Sequence, residues 1–308
     1  YLSKERTKNM KVTVKVPAST ANIGTGVDCL GIALSKYLTV VMETNDKLEI
    51  IFKEGFEKEI PLEDNLVYTG IKRIFQKANK EMPTLKLTMF SDIPGSRGLG
   101  SSASAIVAGV YLANAWLGEL YDEYTLISEA SAIEGHPDNI VPCAVGGFTI
   151  SMMDGDDVHF HKIVPNRDLR FITAIPDYEL PTKLARSVIP TEFATKDVIT
   201  QLQRACFLVG ALASGDLRQL DIASQDIIFT PARHTLIPGF DNVTKNAVEN
   251  GAMCSMISGA GPTIIAFAIN NLEQIAHAMK NGFSVSNIES KVEILKADTK
   301  GAIVIVER

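Results

Sequence analysis

Between a strand-like run and a long apolar helix the chain carries Pro94-Gly95-Ser96-Arg97-Gly98-Leu99-Gly100-Ser101-Ser102-Ala103. Ahead of it, Leu85, Leu87 and Met89 alternate with Lys86 and Thr88, the period of a half-buried strand; residues 101–117 behind it read as a helix. A strand that turns through three glycines into a helix start builds an anion site. The glycines let backbone N–H groups approach a ligand, and the first helical turn adds orphan donors and the positive end of the dipole. Ser101 and Ser102 supply hydroxyls that can cap the helix, hold a phosphate oxygen or ligate Mg²⁺. A plain Gly/Ser turn with a serine N-cap is the competing reading.

Two familiar phosphate motifs come close and fail. Gly95 and Gly100 have Walker A spacing, but Ser101 stands where that loop needs Lys. Gly98, Gly100 and Ala103 have dinucleotide spacing, yet the acidic partner expected about 20 residues on should end a strand. Here that region, residues 119–123, follows a helix.

Around this loop the chain organises into strands and helices in clusters. Val12, Val14 and Val16 alternate as a strand that Val16-Pro17 should end. Residues 37–43 and 48–52 read as strands, and Asp64-Asn65 cap a helix over 66–79. A helix over 125–134 and a strand over 148–152 follow, and a boundary is expected at residues 164–166. Beyond it come strands over 169–175, 252–257, 263–269, 291–296 and 302–306, with helices over 195–214 and 272–281. Because the strands cluster rather than alternate with helices, the fold class expected is α+β. The 308 residues suit two domains at about 150 residues each, here 10–164 and 165–308. Residues 1–9 carry basic side chains without an apolar stretch and read as a tail or cloning remnant ahead of a start at Met10. The net charge of −6 argues against a nucleic-acid protein, and the least polar run, residues 105–117, is too short for a membrane span. Four scattered cysteines without zinc spacing point to a reducing, cytoplasmic compartment.

Four segments in order carry a resemblance. Residues 94–104, ending in Ser104, read P-x3-G-L-G-S-S-A-S and resemble the phosphate loop of the GHMP small-molecule kinases, the group of galactokinase, homoserine kinase and mevalonate kinase. Pro17-Ala18-Ser19-Thr20-Ala21-Asn22-Ile23-Gly24-x-Gly26-x-Asp28 looks like the first motif of the homoserine kinases. Residues 134–142, Glu-Gly-His-Pro-Asp-Asn-Ile-Val-Pro, resemble their middle segment, and Ser258-Gly259-Ala260-Gly261-Pro262-Thr263 the family's third, glycine-rich motif. Each alone is a weak signal, whereas the ordered set is specific.

The resemblance implies two domains, each a mostly antiparallel sheet packed with helices, and an active site in the cleft between them. It implies ATP and Mg²⁺, with L-homoserine phosphorylated on its hydroxyl on the way to threonine. It places the nucleotide phosphates on residues 94–104 and the adenine near Asn65, which is also a good N-cap. Asp28 is expected to take the substrate ammonium, with Arg186 and Arg233 taking its carboxylate through their planar forks. Asn22, His136 and Gly259 are placed beside the substrate. Ser102 is the expected metal serine; of Glu129 and Glu134, Glu129 is the expected metal glutamate. Asn139 falls where mevalonate-type relatives carry an Asp base, so it is expected to orient the hydroxyl, with Asp138 beside it. The family also implies homodimerisation, which no residue pattern displays. The rival readings are a mevalonate-like kinase, a catalytically silent ligand-binding relative and a dinucleotide oxidoreductase. Asp28 and the two arginines oppose the first, because mevalonate has no ammonium.

Overall fold

The alternating valines form a strand longer than their pattern. In the computed structural model, which describes residues 10–56 and 58–307, Val12, Val14 and Val16 are fully buried on one side of β1 (Lys11–Ala21). The proposed tail, residues 1–9, lies outside the described residues. Pro17 does not end the strand: its ladder to β2 (Leu30–Thr44) shifts register between Pro17 and Ala18 and continues to Ala21. A bulge absorbs a residue that has no N–H to donate, and it re-aims the segment that follows.

The chain continues through β3 (Glu49–Phe52), α1 (Leu66–Lys77), β4 (Leu85–Ser91), α2 (Ser101–Trp116), α3 (Glu123–Glu134), α4 (Ile140–Val145) and the hairpin β5 (Phe148–Asp154) and β6 (Asp157–Ile163). Then come β7 (Arg170–Pro176), α5 (Thr182–Ser187), α6 (Thr195–Ser214), α7 (Leu220–Ser224), α8 (Thr230–Arg233) and α9 (Phe240–Glu249). The last elements are β8 (Cys254–Ile257), β9 (Ile264–Ala268), α10 (Leu272–Ser284), β10 (Ser290–Leu295) and β11 (Ile303–Glu307).

These strands make two sheets, so the fold is α+β. The first runs β11-β1-β2-β4-β3, with the β5–β6 hairpin joined to β2; the second runs β10-β7-β9-β8. All pairings are antiparallel except β3 with β4. One strand departs from the division expected at residue 164. β11, placed in the second half by sequence order, returns to pair with β1, Val304 opposite Val14. Without it, β1 would present an open edge of unpaired backbone groups.

α2 is the buried centre of the first half. Ile106, Val107, Val110, Leu112 and Ala113 are all fully buried around its circumference, as expected for a helix that is apolar on every side. Each large side chain among them contributes about 1.5–3 kcal/mol by leaving water. Gly109 lets α2 touch α1, because a Cβ there would fall 2.2 Å from the Val67 carbonyl oxygen. This packing fixes where the helix starts, and hence where the phosphate loop sits.

Candidate active site

The loop ahead of α2 is held from three sides. Gly100 takes the left-handed conformation (φ 69°) and is the N-cap of α2, so neither Ser101 nor Ser102 caps the helix. Ser104 Oγ donates to the Ser101 carbonyl, and the Ser19 N–H donates to the Leu99 carbonyl at 3.2 Å. Gly98 (φ 75°) lies against the third motif so closely that a Cβ there would fall 2.3 Å from the Ser258 carbonyl oxygen. Ser258 Oγ donates to the Gly98 carbonyl at 2.6 Å, and the Leu180 N–H to the Ser96 carbonyl. Arg97, nearly buried, donates to the Gly95 carbonyl and faces Asp177 at 3.6 Å. The loop is thus clamped to the second sheet's half of the chain.

A cleft of about 780 Å³ opens in front of this loop. Pro94, Gly95, Ser96, Arg97, Gly98, Gly100, Ser101, Ser102 and Ser104 line it. Leu99 and Ala103 are buried in the core behind it instead, anchoring the loop. Asn65 lines the cleft but acts first as the N-cap of α1, accepting from the Tyr68 N–H. Beside it, Phe56, Ile60 and Pro61 form an apolar wall that no sequence motif announced.

Of the two candidate glutamates, it is Glu134 and not the expected Glu129 that meets the phosphate loop. Glu129 pairs with Arg73 and Lys77 of α1 and does not line the cleft. Glu134, at the last turn of the same helix, faces the cleft and accepts a hydrogen bond from Ser102 Oγ at 2.5 Å. Five residues at 100° each put the two carboxylates about 140° apart, so only one can face inward. Burial pushes the Glu134 carboxyl above its ordinary value, more than the Ser102 hydrogen bond and the His136 charge pull it down. A hydroxyl and a buried carboxylate touching at the phosphate loop are hard oxygen donors of the kind Mg²⁺ takes, so the pair fits that ion.

The residues expected beside the substrate all line the cleft, where several of them hold one another. Asp28 and Arg186, expected to take opposite ends of a zwitterion, form a two-point ion pair with each other at 2.6 and 3.1 Å. The pair is half-exposed, so it holds about 1 kcal/mol at most and can open to admit a ligand. Asn22 lines the cleft, but its amide is engaged: Nδ2 donates to the Gly259 carbonyl and Oδ1 accepts from the Asp28 N–H. It therefore ties the first motif to the third. Asn22, Ile23 and Gly24 are successive left-handed residues, strain held by these contacts. Asp138 is buried, with His136 Nδ1 2.6 Å from its Oδ1. Burial pulls the His136 pKa down, but the hydrogen bond and charge of Asp138 outweigh it, and the net shift is upward. Neither Asp138 nor Asn139 lies within a helix; Asn139 is the N-cap position of α4.

Arg233 closes the far wall. It is 4% exposed, and its Nε has no hydrogen-bond partner although no water reaches it. Burial, with Arg186 nearby, lowers the guanidinium pKa. A second cavity of about 810 Å³ lies on the other side of Arg97, but its buried cation, Lys36, is already paired with Glu293 at 2.8 Å. Arg233, which lines the first cleft, has no ion-pair partner among the described residues.

The described residues include no helix long and apolar enough to cross a membrane. The family description "GHMP kinases N terminal domain" matches residues 65–147, and "GHMP kinases C terminal" matches residues 208–285. A homoserine kinase from Halothermothrix orenii is 39% identical over 296 residues, 94% of this chain and 95% of that protein. One from Clostridium novyi is 38% identical, covering 96% of this chain and all of its own length. Among solved structures, homoserine kinase from Cytophaga hutchinsonii superposes with a TM-score of 0.86 at 32% identity, over 96% of this chain and 97% of its own. Both halves of the sequence and nearly its whole length therefore point one way: this chain belongs to the GHMP kinase family, alongside its homoserine kinases.

Proposed function

We propose that this chain is a homoserine kinase, transferring the γ-phosphoryl group of ATP to the side-chain hydroxyl of L-homoserine. The observation that carries the reading is Arg233. A buried guanidinium that lines the cleft and has no ion-pair partner among the described residues calls for an anion, and the Asp28–Arg186 pair next to it offers one acceptor and one donor for an ammonium and a carboxylate. An α-amino acid presents both charges. A mevalonate-like alcohol presents only the carboxylate and would leave Asp28 without an ammonium to receive.

In this reading the glycine loop and the N-terminus of α2 cradle the nucleotide phosphates, and the wall of Phe56, Ile60, Pro61 and Asn65 receives the base. Ser102 and Glu134 would hold Mg²⁺, which supplies neutralisation of phosphate charge. Asn139 orients the acceptor hydroxyl. Its amide cannot take a proton near neutral pH, and the Asp138 carboxylate is engaged by His136. The hydroxyl proton then passes to the γ-phosphate in a loose transition state, where general-base help is worth little. The four free cysteines are in keeping with a reducing compartment such as the cytoplasm.

A coupled assay of ADP release across L-homoserine, mevalonate and galactose tests the assignment. Turnover with L-homoserine alone is expected; preference for either other alcohol overturns it. Asp138→Asn should keep kcat within about tenfold of the parent. A fall of about 10²–10⁴-fold with the fold intact would make Asp138 the base.

A further inference from the structure

The motif residue Ser19 has no place in the cleft and yet touches both of the groups that meet there. Its side chain is fully buried on β1, just past the bulge at Pro17. Ser19 Oγ donates to Asn139 Oδ1 at 2.8 Å, while the backbone N–H of the same residue donates to the Leu99 carbonyl of the phosphate loop. Cys143 Sγ lies 3.3 Å from Ser19 Oγ and 3.1 Å from the Pro17 carbonyl. Burial pushes the Cys143 thiol up to about 12, so it keeps its proton; its sulfur is only a weak acceptor, and the amide oxygen of Asn139 at 2.8 Å outcompetes it for the Ser19 hydroxyl proton.

The other side of the Asn139 amide is fixed independently. Nδ2 lies 3.4 Å from Asp138 Oδ1, and a carboxylate accepts only, so the NH₂ group must be on that side. The junction has no slack: a Cβ on Gly100 would fall 2.1 Å from Ser19 Oγ and 3.2 Å from Asn139 Oδ1.

We infer that Ser19 is a positioning residue that locks the Asn139 amide with its N–H side toward the acceptor hydroxyl and holds it in register with the phosphate loop. This rests on the kinase reading above. A flipped amide would offer the hydroxyl a carbonyl oxygen, which would draw its proton away from the γ-phosphate. One side chain thereby sets both which atom Asn139 presents and how far it stands from the loop.

The test is a double-mutant cycle read in kcat, KM and melting temperature. Ser19→Ala should lower kcat about tenfold, the worth of one neutral hydrogen bond, with both KM values within about twofold. In an Asn139→Ala background the same change should alter kcat by less than about twofold, because its target is gone. Ser19→Thr, which keeps the hydroxyl, should restore kcat to within about threefold of the parent. If Ser19→Ala does not fold, Ser19→Cys keeps the volume, weakens the donor and should give the same pattern. Equal losses in both backgrounds, or a lower melting temperature with kcat unchanged, overturn the inference. A parent chain that does not turn over homoserine overturns the functional reading instead, before any variant is compared.

Discussion

Glu134→Gln should lower kcat by about 100-fold or more at saturating substrates and raise the Mg²⁺ concentration needed for half-maximal rate, while Glu129→Gln changes kcat by less than about threefold. The asymmetry follows from the helix turn that separates them: Glu134 meets Ser102 at the phosphate loop, and Glu129 meets Arg73 and Lys77 outside it. Stability should move the opposite way. The folded-state pKa of Glu134 is raised, so the folded chain binds more protons than the unfolded one and loses stability as pH rises through that window. Glu134→Gln removes this loss, and its melting temperature at pH 8 without Mg²⁺ should equal or exceed the parent's. For Glu129, burial raises the pKa, but the bonds to Lys77 and Arg73 prevail and lower it. Its contribution is present above the ordinary carboxylate range and lost as pH falls, so Glu129→Gln should melt slightly earlier at neutral pH, by less than about 1 kcal/mol for a partly exposed pair. Loss of activity in Glu129→Gln with Glu134→Gln active would return the metal to Glu129.

Arg233→Leu should raise the KM for homoserine about 10- to 100-fold and leave the KM for ATP within about twofold, the size of one lost charge-assisted contact of about 1.5–3 kcal/mol. Arg233 is a buried cation whose Nε is unpartnered, so the apolar replacement removes a desolvation cost as well as a ligand contact. The variant should therefore stay folded while it loses substrate. Arg233→Lys should recover little, because an ammonium cannot present the planar two-point fork. Arg186→Leu should have a smaller effect, since that side chain is half-exposed and Asp28 remains. Equal losses for ATP and homoserine would place Arg233 on the nucleotide side.

Local order was legible in several segments that carry their own pattern. The alternating valines of β1, the apolar circumference of α2 and the 20-residue helix α6 over Thr195–Ser214 are read directly from side-chain period. The glycine loop was legible too, because an anion site needs contiguous backbone N–H groups and therefore contiguous residues. The short helices α4, α5, α7 and α8 have too few turns to display a period and escaped it, and the ten-residue α9 and the hairpin strand β6 were missed as well.

Tertiary structure decided what depends on direction and on partners distant in sequence. Glu129 and Glu134 are alike as residues of one helix, and only the packing of α3 against the loop says which faces inward. Asp28 and Arg186 are 158 positions apart, and neither segment alone announces that they meet. The return of β11 to β1 pairs the chain's two ends, a contact no local pattern encodes. The sequence by itself determined the chemistry available to this protein, since residue types and contiguous motifs carry it. Geometry assigned the roles, because a hydrogen bond or an ion pair depends on atoms within about 3 Å of each other, and distance along the chain does not measure that.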